Sequence, residues 1–440
     1  MQRIGRTTRK LGLDGVATAF SMSAFAVFLV LIGDALFGPW FSSFMIYGLG
    51  PFGHITLGVD RLGAILLMPV FFVAGVVVLV VPDMCEWRFA AGVVAFALMG
   101  AGQDIYAVSF GLLSASWLTV GCAGTEALLL SAIPVCLVRP LLAFHVFMHV
   151  GGSLDNLLRL LGALIAPLGA ARACNAPNLQ RYVRATALGL SGIAVGAFTA
   201  GMLRVAVGAA VLAALTGPGL TLIANLLRKE IGTDEFDWLG GLARGMPDLS
   251  LILLIFIFAV SIVPPGAGFA ILLRCWRHIA FDRSGLAMLA YGIGVIAWSA
   301  LSTFAAIRAF GAISLGRPRS LRAAAAEDTR DRGLLGVLLL AVGALLVGWF
   351  VMPGRWSLVV LTLMLTAIVV VLLWAEARVG SDFVPHWTEG FAQPPAWMPF
   401  NDPRTEITAS GFAQPLFGSD KTSIGLWSRL RAAIRSVLAL

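Results

Sequence analysis

Long apolar stretches separated by short polar segments run through this chain of 440 residues and constrain its fold more than any motif does. Each is near the ~20 residues that a helix needs to cross a bilayer. In lipid, backbone N–H and C=O groups must hydrogen-bond to one another, which only helices and closed β-barrels allow. The alternation of apolar and polar residues that marks a β-barrel is absent, so the stretches predict transmembrane helices. The twelve stretches are residues 15–37, 62–82, 88–103, 105–122, 126–150, 157–172, 185–201, 205–227, 248–275, 285–312, 333–352 and 356–376.

Composition excludes a soluble globular protein, because 59% of the residues are apolar and only 12% are charged, with a mean hydropathy of +0.91. We therefore predict an all-α fold, a polytopic bundle of about twelve transmembrane helices. The expected organisation is a basic N-terminus at 1–14, the bundle at 15–376 and an extended tail with an amphipathic surface helix at 377–440.

Arginines collect at one set of span ends, before the first stretch, after the sixth and after the tenth. The positive-inside rule predicts that this side is cytoplasmic, in the inner (cytoplasmic) membrane. An even number of spans then places both termini in the cytoplasm. The pI of about 9.8 reflects this bias and does not indicate nucleic-acid binding. No cleavable signal is evident.

Two connections and the tail differ from the apolar stretches, and one stretch contains a predicted break. Residues 228–247 and 314–332 carry mixed charges and are interpreted as solvated linkers. Pro264-Pro265 should break the ninth helix. In the tail, Ser423 to Leu440 spaces arginines among apolar residues, as a basic amphipathic helix on a lipid surface or a partner would.

No cofactor is expected in this chain. Its five cysteines are isolated, which fits neither a zinc site nor an iron–sulfur cluster. No nucleophile–base pair, paired carboxylates or nucleotide-binding loop indicates an enzyme that acts alone.

Three residues are candidates for an ion pathway. Arg139, followed by Pro140 inside the fifth stretch, is either a functional charge or a structural partner of another helix. His145 and His149 are spaced as a metal or haem pair would be, or are histidines at the membrane interface.

Other polar residues have structural interpretations. Asp34, Asp104 and Glu126 lie at span ends, where solvated or capping carboxylates are expected. Arg159, Arg204 and Arg308 are expected to pair across helices or to reach the surface. The 49 glycines favour close helix packing.

Several segments, taken in order, are similar to the antiporter-like membrane subunits. They are Asp237-Trp-Leu-Gly-Gly-Leu-Ala-Arg-Gly-Met-Pro247, Val263-Pro-Pro-Gly-Ala-Gly-Phe269, and Ala306-Ile-Arg-Ala-Phe310 leading into Leu315-Gly-Arg-Pro-Arg-Ser320. That family includes proton-pumping subunits of respiratory complex I, multi-subunit sodium/proton antiporters and the large membrane subunit of formate-hydrogenlyase-type hydrogenases. Ile407-Thr-Ala-Ser-Gly-Phe-Ala-Gln-Pro-Leu416 and His386-Trp-Thr-Glu-Gly390 resemble the last of these most.

The resemblance assigns a structural role to its motif positions, which are Leu239, Gly240, Gly241, Met246, Pro247, Pro264, Pro265, Gly268, Phe269, Gly316, Arg317, Pro318 and Arg319. It also exposes departures. Family members carry a glutamate on an early helix, where Phe110 or a neighbour stands here, and no carboxylate occurs between residues 105 and 125. Leu272 stands where a later Glu or Lys is expected, and the only lysines are Lys10, Lys229 and Lys421.

These departures predict a membrane-anchoring scaffold subunit of a multi-subunit energy-converting oxidoreductase complex, complex I-like or hydrogenase-like, that has lost the family's proton-relay residues. The expected partners are sister membrane subunits, a cytoplasmic electron-transfer arm and the lipid bilayer, with no nucleic acid. Two alternatives stay open: a subunit that still translocates protons or sodium, and an accessory subunit of an unrelated membrane complex.

Overall fold

The structure of the chain, a computed structural model, describes residues 19–35, 44–47, 54–57, 59–80, 87–101, 125–148, 153–264, 266–281, 285–316, 318–328 and 332–352. Within these ranges the chain is almost entirely helical. The helices are α1 (Ala19–Ala35), α2 (Arg61–Val80), α3 (Trp87–Ala101), α4 (Thr125–Ser131), α5 (Ile133–Met148), α6 (Ser153–Cys174), α7 (Leu179–Thr199), α8 (Leu203–Glu230), α9 (Leu242–Gly245), α10 (Pro247–Val260), α11 (Ala267–Phe281), α12 (Gly285–Ser314), α13 (Leu321–Ala324) and α14 (Arg332–Val351).

The predicted all-α membrane bundle is confirmed. Five of the described helices, α2, α6, α8, α12 and α14, are long and apolar enough to cross a membrane, and α1, α3, α5 and α10 are shorter apolar helices. The predicted number of about twelve spans is not confirmed. Stretches 105–122 and 356–376, like the tail at 377–440, lie outside the described residues.

A short β-hairpin between α1 and α2 was not predicted. Strand β1 (Phe44–Tyr47) pairs antiparallel with β2 (His54–Leu57), in a register that sets Phe44 opposite Leu57 and Tyr47 opposite His54. Residues 48–53 between the strands include three glycines and a proline, a composition that favours a turn. Four-residue strands are too short to be recognised by alternation beside spans of twenty residues.

Helix α8 forms the centre of the bundle, and 94% of its most apolar window is buried. It packs against α7 and α14 and also contacts α2, α4 and α5. Alanine and glycine dominate the buried positions, which lets these neighbours approach closely. The hydroxyls of Thr216 and Thr221 donate to the carbonyls of Leu212 and Gly217, at 2.7 and 2.8 Å, so both buried hydroxyls have an acceptor.

Helices α6 and α7 are in backbone contact through glycines, as the sequence predicted. A Cβ at Gly169 would lie 2.3 Å from the backbone nitrogen of Gly189, and one at Gly162 would lie 2.7 Å from that of Gly196. Helix α12 lies on the same pair of helices, where the Tyr291 hydroxyl donates to the Ile193 carbonyl at 2.9 Å. Side chains larger than hydrogen therefore cannot enter the α6–α7 seam without separating the helices.

The prediction of a solvated linker at 228–247 is wrong. Asp234 is 4% exposed, and Phe236 and Leu239 are fully buried. The charges led to the wrong prediction, because the acidic residues alternate with apolar residues that pack against the ends of α7 and α12. Asp234 in this connection caps the start of α7, where its carboxylate and carbonyl accept the N–H groups of Gln180 and Leu179.

The second connection is also packed where it is described. The Asp328 carboxylate accepts the backbone N–H groups of Asp248 at 2.8 Å and Leu249 at 3.5 Å, and so caps the start of α10. A Cβ at Gly245 would lie 2.3 Å from the Ala326 carbonyl oxygen. The segment from 318 to 328 therefore closes against the segment that precedes α10.

The predicted break in the ninth apolar stretch is confirmed. Helix α10 ends at Val260 and α11 begins at Ala267. The Ile262 N–H, freed by the break, donates to the Thr303 hydroxyl oxygen of α12 at 3.0 Å. A Cβ at Gly268 would lie 2.3 Å from the Val260 carbonyl oxygen, so glycine is needed for the chain to restart so close to the end of α10.

We predict that Gly169→Ala lowers thermal stability in detergent, because the methyl group meets backbone of α7. Overpacking of this kind costs ~1–3 kcal/mol. Gly311→Ala in α12 is the matched control, since nothing lies within 4 Å of its Cβ position. The control should unfold at the wild-type temperature or above it, because alanine is the better helix former. Equal melting temperatures for the two variants would contradict the backbone contact.

Candidate functional site

Charged side chains follow a simple rule along the described helices. Every carboxylate on one of these helices lies within three residues of the helix end, and Lys229 does too. Arginines alone among Asp, Glu, Lys and Arg occupy interior helical positions in this part of the chain. The carboxylates concerned are Asp34, Glu126, Asp155, Glu230 and Asp248.

Arg308 is one of these interior arginines. It is buried in α12, and its Nη1 donates to the carbonyl oxygens of Cys174 at 2.7 Å and Ala176 at 3.1 Å. These carbonyls belong to the last residue of α6 and to the turn after it. The guanidinium carbon also lies 5.5 Å from the centre of the Phe236 ring. Arg308 thus joins α12 to the end of α6 and to the buried connection before α9.

Three more arginines cap the C-terminal end of a neighbouring helix in the same way. Each donates to a terminal carbonyl that has no partner within its own helix. The bonds run from Arg61 Nε to Ala35 O of α1 at 2.7 Å, from Arg159 Nη2 to Thr199 O of α7 at 2.8 Å, and from Arg274 Nη1 to Val351 O of α14 at 3.0 Å. The predicted pairing across helices is confirmed for Arg159 and Arg308.

These contacts have a common physical cause. The C-terminal end of a helix carries unpaired carbonyls and the negative end of the helix dipole, both of which favour a cation. Near lipid, water is scarce and an unpaired carbonyl is costly. Arginine suits the position because it stays protonated and presents several N–H donors in one plane.

Arg139 forms an ion pair that the sequence did not reveal. Its Nη1 lies 3.1 Å from Oδ1 and 3.3 Å from Oδ2 of Asp60, and its side chain is 5% exposed. Oδ1 of Asp60 also accepts the Gly63 N–H at 3.0 Å, which caps the start of α2. Asp60 precedes an apolar run directly, which is the sequence position of an N-cap, and this signal could have identified it.

Of the three candidate pathway residues, Arg139 is the one whose side chain the structure describes. His145 lies in α5, but its side chain is outside the described residues, and His149 is outside them altogether. Among the described residues, no group of three or more His, Cys, Asp or Glu side chains is placed to hold a metal ion. A role for the two histidines stays a prediction.

The three carboxylates at span ends have different surroundings. Asp34, expected to be solvated or capping, is buried at 2% exposure at the end of α1. Glu126 bonds to Gln180 and to Arg184 of α7, with 2.5 Å between Glu126 Oε1 and Arg184 Nε. Asp104 lies outside the described residues.

A chain of polar side chains links α4, α7, α8 and the buried connection at one end of the bundle. We call it the lateral polar chain, and its members in order are Arg184, Glu126, Gln180, Arg228 and Asp234. Arg228 Nε lies 2.9 Å from Asp234 Oδ1, and Arg228 also donates to the Gln180 side chain. Asp234 Oδ2 in turn accepts the Gln180 N–H at 3.2 Å.

Opposite charges alternate along the lateral polar chain, so each ion has a compensating neighbour. The hydrogen bond that Arg184 donates to Glu126 raises the pKa of Arg184, which lies before the apolar stretch of α7 and is already protonated at neutral pH. Asp234 sits at the N-terminal end of α7, where a carboxylate is favoured by the helix dipole. The arrangement fixes helix ends relative to each other.

Two of the segments that resemble the antiporter-like family, 237–247 and 315–320, meet at this same end. The Gly241 N–H donates to the Leu315 carbonyl at 2.9 Å, and Arg319 Nη1 donates to the Phe236 carbonyl at 3.0 Å. Gly240, Gly241 and Gly316 have φ of 131°, 64° and 81°, where a side chain is strained. Leu239 and Met246 are buried beneath them. Of the other motif positions, Pro265 and Arg317 lie outside the described residues.

At the position where Glu or Lys is expected, the apolar side chain of Leu272 packs against the hydrophobic core. It lies in the second turn of α11, after the break, and is a partly buried member of the hydrophobic core. Asp234 and Asp328, by contrast, were dismissed as solvated charges although each caps a helix. Their spacing to the helix starts at Leu179 and Pro247 is long-range, so no local pattern could have identified them.

We predict that Arg308→Met destabilises the chain by ~2 kcal/mol, because two terminal carbonyls lose a charged donor. Thermal unfolding in detergent measures the loss. Arg244→Met, a change of the same type at an exposed position, is the control and should leave the melting temperature unchanged. An Arg308→Met variant as stable as this control would show that the contact carries no net stability.

No protein-family model matches the sequence, and no curated protein sequence matches it. Solved structures match the fold. One chain of the membrane-bound sulfane sulfur reductase, an archaeal respiratory membrane complex, matches with a TM-score of 0.69 and 14% identity, covering 95% of this chain and 90% of that chain.

Two further structures are similar. A chain of respiratory complex I from Thermus thermophilus has a TM-score of 0.57 and 19% identity, over 78% of this chain and 92% of that chain. A chain of the Mrp complex from Dietzia sp. has a TM-score of 0.57 and 13% identity, over 82% of this chain and 55% of that chain. The expected likeness to antiporter-like subunits is confirmed for the fold. The protein is therefore a multi-pass membrane protein whose fold is shared with chains of these respiratory and Mrp complexes.

Proposed function

We propose that the chain is a membrane-anchoring and bracing subunit of a multi-subunit energy-converting oxidoreductase complex, and that it no longer relays protons. The observation that carries the proposal is that interior arginines make structural contacts between helices. Three of them bind the C-terminal ends of neighbouring helices, as Arg61 also does from the first residue of α2, and Arg139 pairs with Asp60.

Proton transfer across a membrane needs groups that change charge at mid-depth. Arginine does not do so in proteins. Along the described helices, Asp, Glu and Lys are confined to the ends, and Leu272 fills the position after the break with apolar contacts. The described interior is therefore suited to holding helices together and poorly suited to proton relay.

The partner subunits are proposed from the complexes in which similar folds occur. The similar chains come from multi-subunit membrane complexes. By this likeness, the chain binds sister membrane subunits side by side in the cytoplasmic membrane, with both termini in the cytoplasm. The complex resembles the formate-hydrogenlyase type, with electron-transfer cofactors in a cytoplasmic arm made of other chains. The tail at 377–440 then lies across its neighbours as a strap.

Two observations favour the alternative that ions still cross. The break between α10 and α11 is retained, and broken helices line ion sites in transporters. Asp34 also adds a buried carboxylate near one end of the bundle. The two functions differ in a measurable property, which is the proton permeability of the reconstituted chain.

We expect liposomes containing the full chain to hold an imposed pH gradient, reported by an internal pH-sensitive dye, as long as liposomes without protein do. His145→Ala and Asp34→Asn should change nothing. A pH gradient that collapses with the wild-type chain and is held with either variant would contradict the bracing function and favour proton translocation.

The assembly is tested separately by mass spectrometry of subunits that co-purify after mild detergent extraction. We expect other polytopic subunits together with chains that carry redox cofactors. Recovery of subunits from a complex without electron-transfer chains would favour the accessory-subunit alternative.

A further inference from the structure

Three arginines converge on the C-terminal end of α14, at the end of the bundle opposite the buried connection. Arg274 of α11 donates to the Val351 carbonyl at 3.0 Å. Arg277 follows three residues later on α11, which places it on the same side of the helix. Arg204 is the second residue of α8, one helical turn before Gly208, whose Cβ position lies 2.2 Å from Val351 Cγ2.

These charges are close enough to repel one another. Burial disfavours the charged form of Arg274 most, and the positive charges of Arg204 and Arg277 disfavour it further. Capping one helix end needs one cation, and Arg274 supplies it. Neither Arg204 nor Arg277 forms an ion pair with a carboxylate among the described residues, and both are exposed. The cluster therefore holds positive charge beyond what the helix end uses.

The surroundings of the cluster are apolar and exposed. Leu203 is 41% exposed and Trp276 is 53% exposed, directly beside Arg204 and Arg277 in the sequence. Helices α8 and α14 are both long enough to cross the membrane, so their ends at Leu203 and Val351 lie at the level of the lipid headgroups. Tryptophan is enriched at this depth because one part of its ring system is apolar and another donates a hydrogen bond.

We propose that Arg204, Arg274 and Arg277 form a binding site for the phosphodiester headgroup of an anionic phospholipid, with its acyl chains along Leu203 and Trp276. Guanidinium groups bind phosphate oxygens through paired N–H donors, which relieves the repulsion among the three cations. An acidic segment of a partner protein would satisfy the charges but not the exposed apolar residues at membrane depth. A lipid satisfies both.

The test compares two lipids with the same acyl chains, dioctanoyl phosphatidylglycerol and dioctanoyl phosphatidylcholine, by the rise in melting temperature of the full chain in detergent. Arg204→Gln with Arg277→Gln is the site variant, and Arg244→Gln with Arg322→Gln, also exposed arginines, is the control. We expect phosphatidylglycerol alone to stabilise the wild type and the control, and the site variant to need ~100-fold more of it, tenfold for each lost contact.

Equal stabilisation by both lipids, no stabilisation of the wild type, or an unchanged response in the site variant would each overturn the proposal. Loss of a co-purifying subunit from the site variant, with its lipid response intact, would assign the cluster to an acidic partner instead. If inorganic phosphate alone abolished the rise in melting temperature caused by the lipid, the acyl chains would take no part in binding. That result would also contradict the proposed site.

Discussion

The constraint on which this structure depends is the unpaired backbone at helix ends that lie at or within the membrane. A bundle with many spans has many such ends, each with carbonyls that water reaches poorly. Here arginines from neighbouring helices donate to them, as Arg308 does to α6 and Arg274 to α14. Because each donor lies on a different helix from its acceptor, every cap also fixes the position of one helix against another.

This use of arginine is also what supports the proposed bracing function. A guanidinium tied to two carbonyls has little freedom to move and does not release its proton. The lateral polar chain extends the same principle to one end of the bundle, where Asp234 caps α7 while Arg228 neutralises it. Glycine contacts such as Gly169 against Gly189 complete the packing where no side chain fits.

The sequence predicted the elements of this fold well because they depend on local patterns. Apolar length located the helices, Pro264-Pro265 located the break between α10 and α11, and the glycines indicated close packing. Arginines within or beside apolar runs were expected to pair across helices or to reach the surface, and Arg159 and Arg308 do the first. Their acceptors could not be predicted, since a carbonyl at the end of another helix has no signature in sequence.

The errors in the sequence reading have the same origin. Charged residues in the connections at 228–247 and 314–332 were interpreted as solvated, whereas Asp234 and Asp328 cap helices that begin far away in the chain. Composition reports how polar a segment is but not which orphan backbone groups it meets. The ion pair of Arg139 with Asp60 spans 79 residues and was missed for this reason.

Solid-state NMR of the chain labelled with 15N-arginine tests the central claim most directly, with Arg308→Lys used to assign the signal. If Arg308 is a fixed cap, its guanidinium nitrogens should give separate, slowly exchanging resonances that do not change with pH. A single averaged resonance with rapid hydrogen exchange would mean that the side chain rotates in a hydrated cavity, and the account of the arginines as structural clamps would be contradicted.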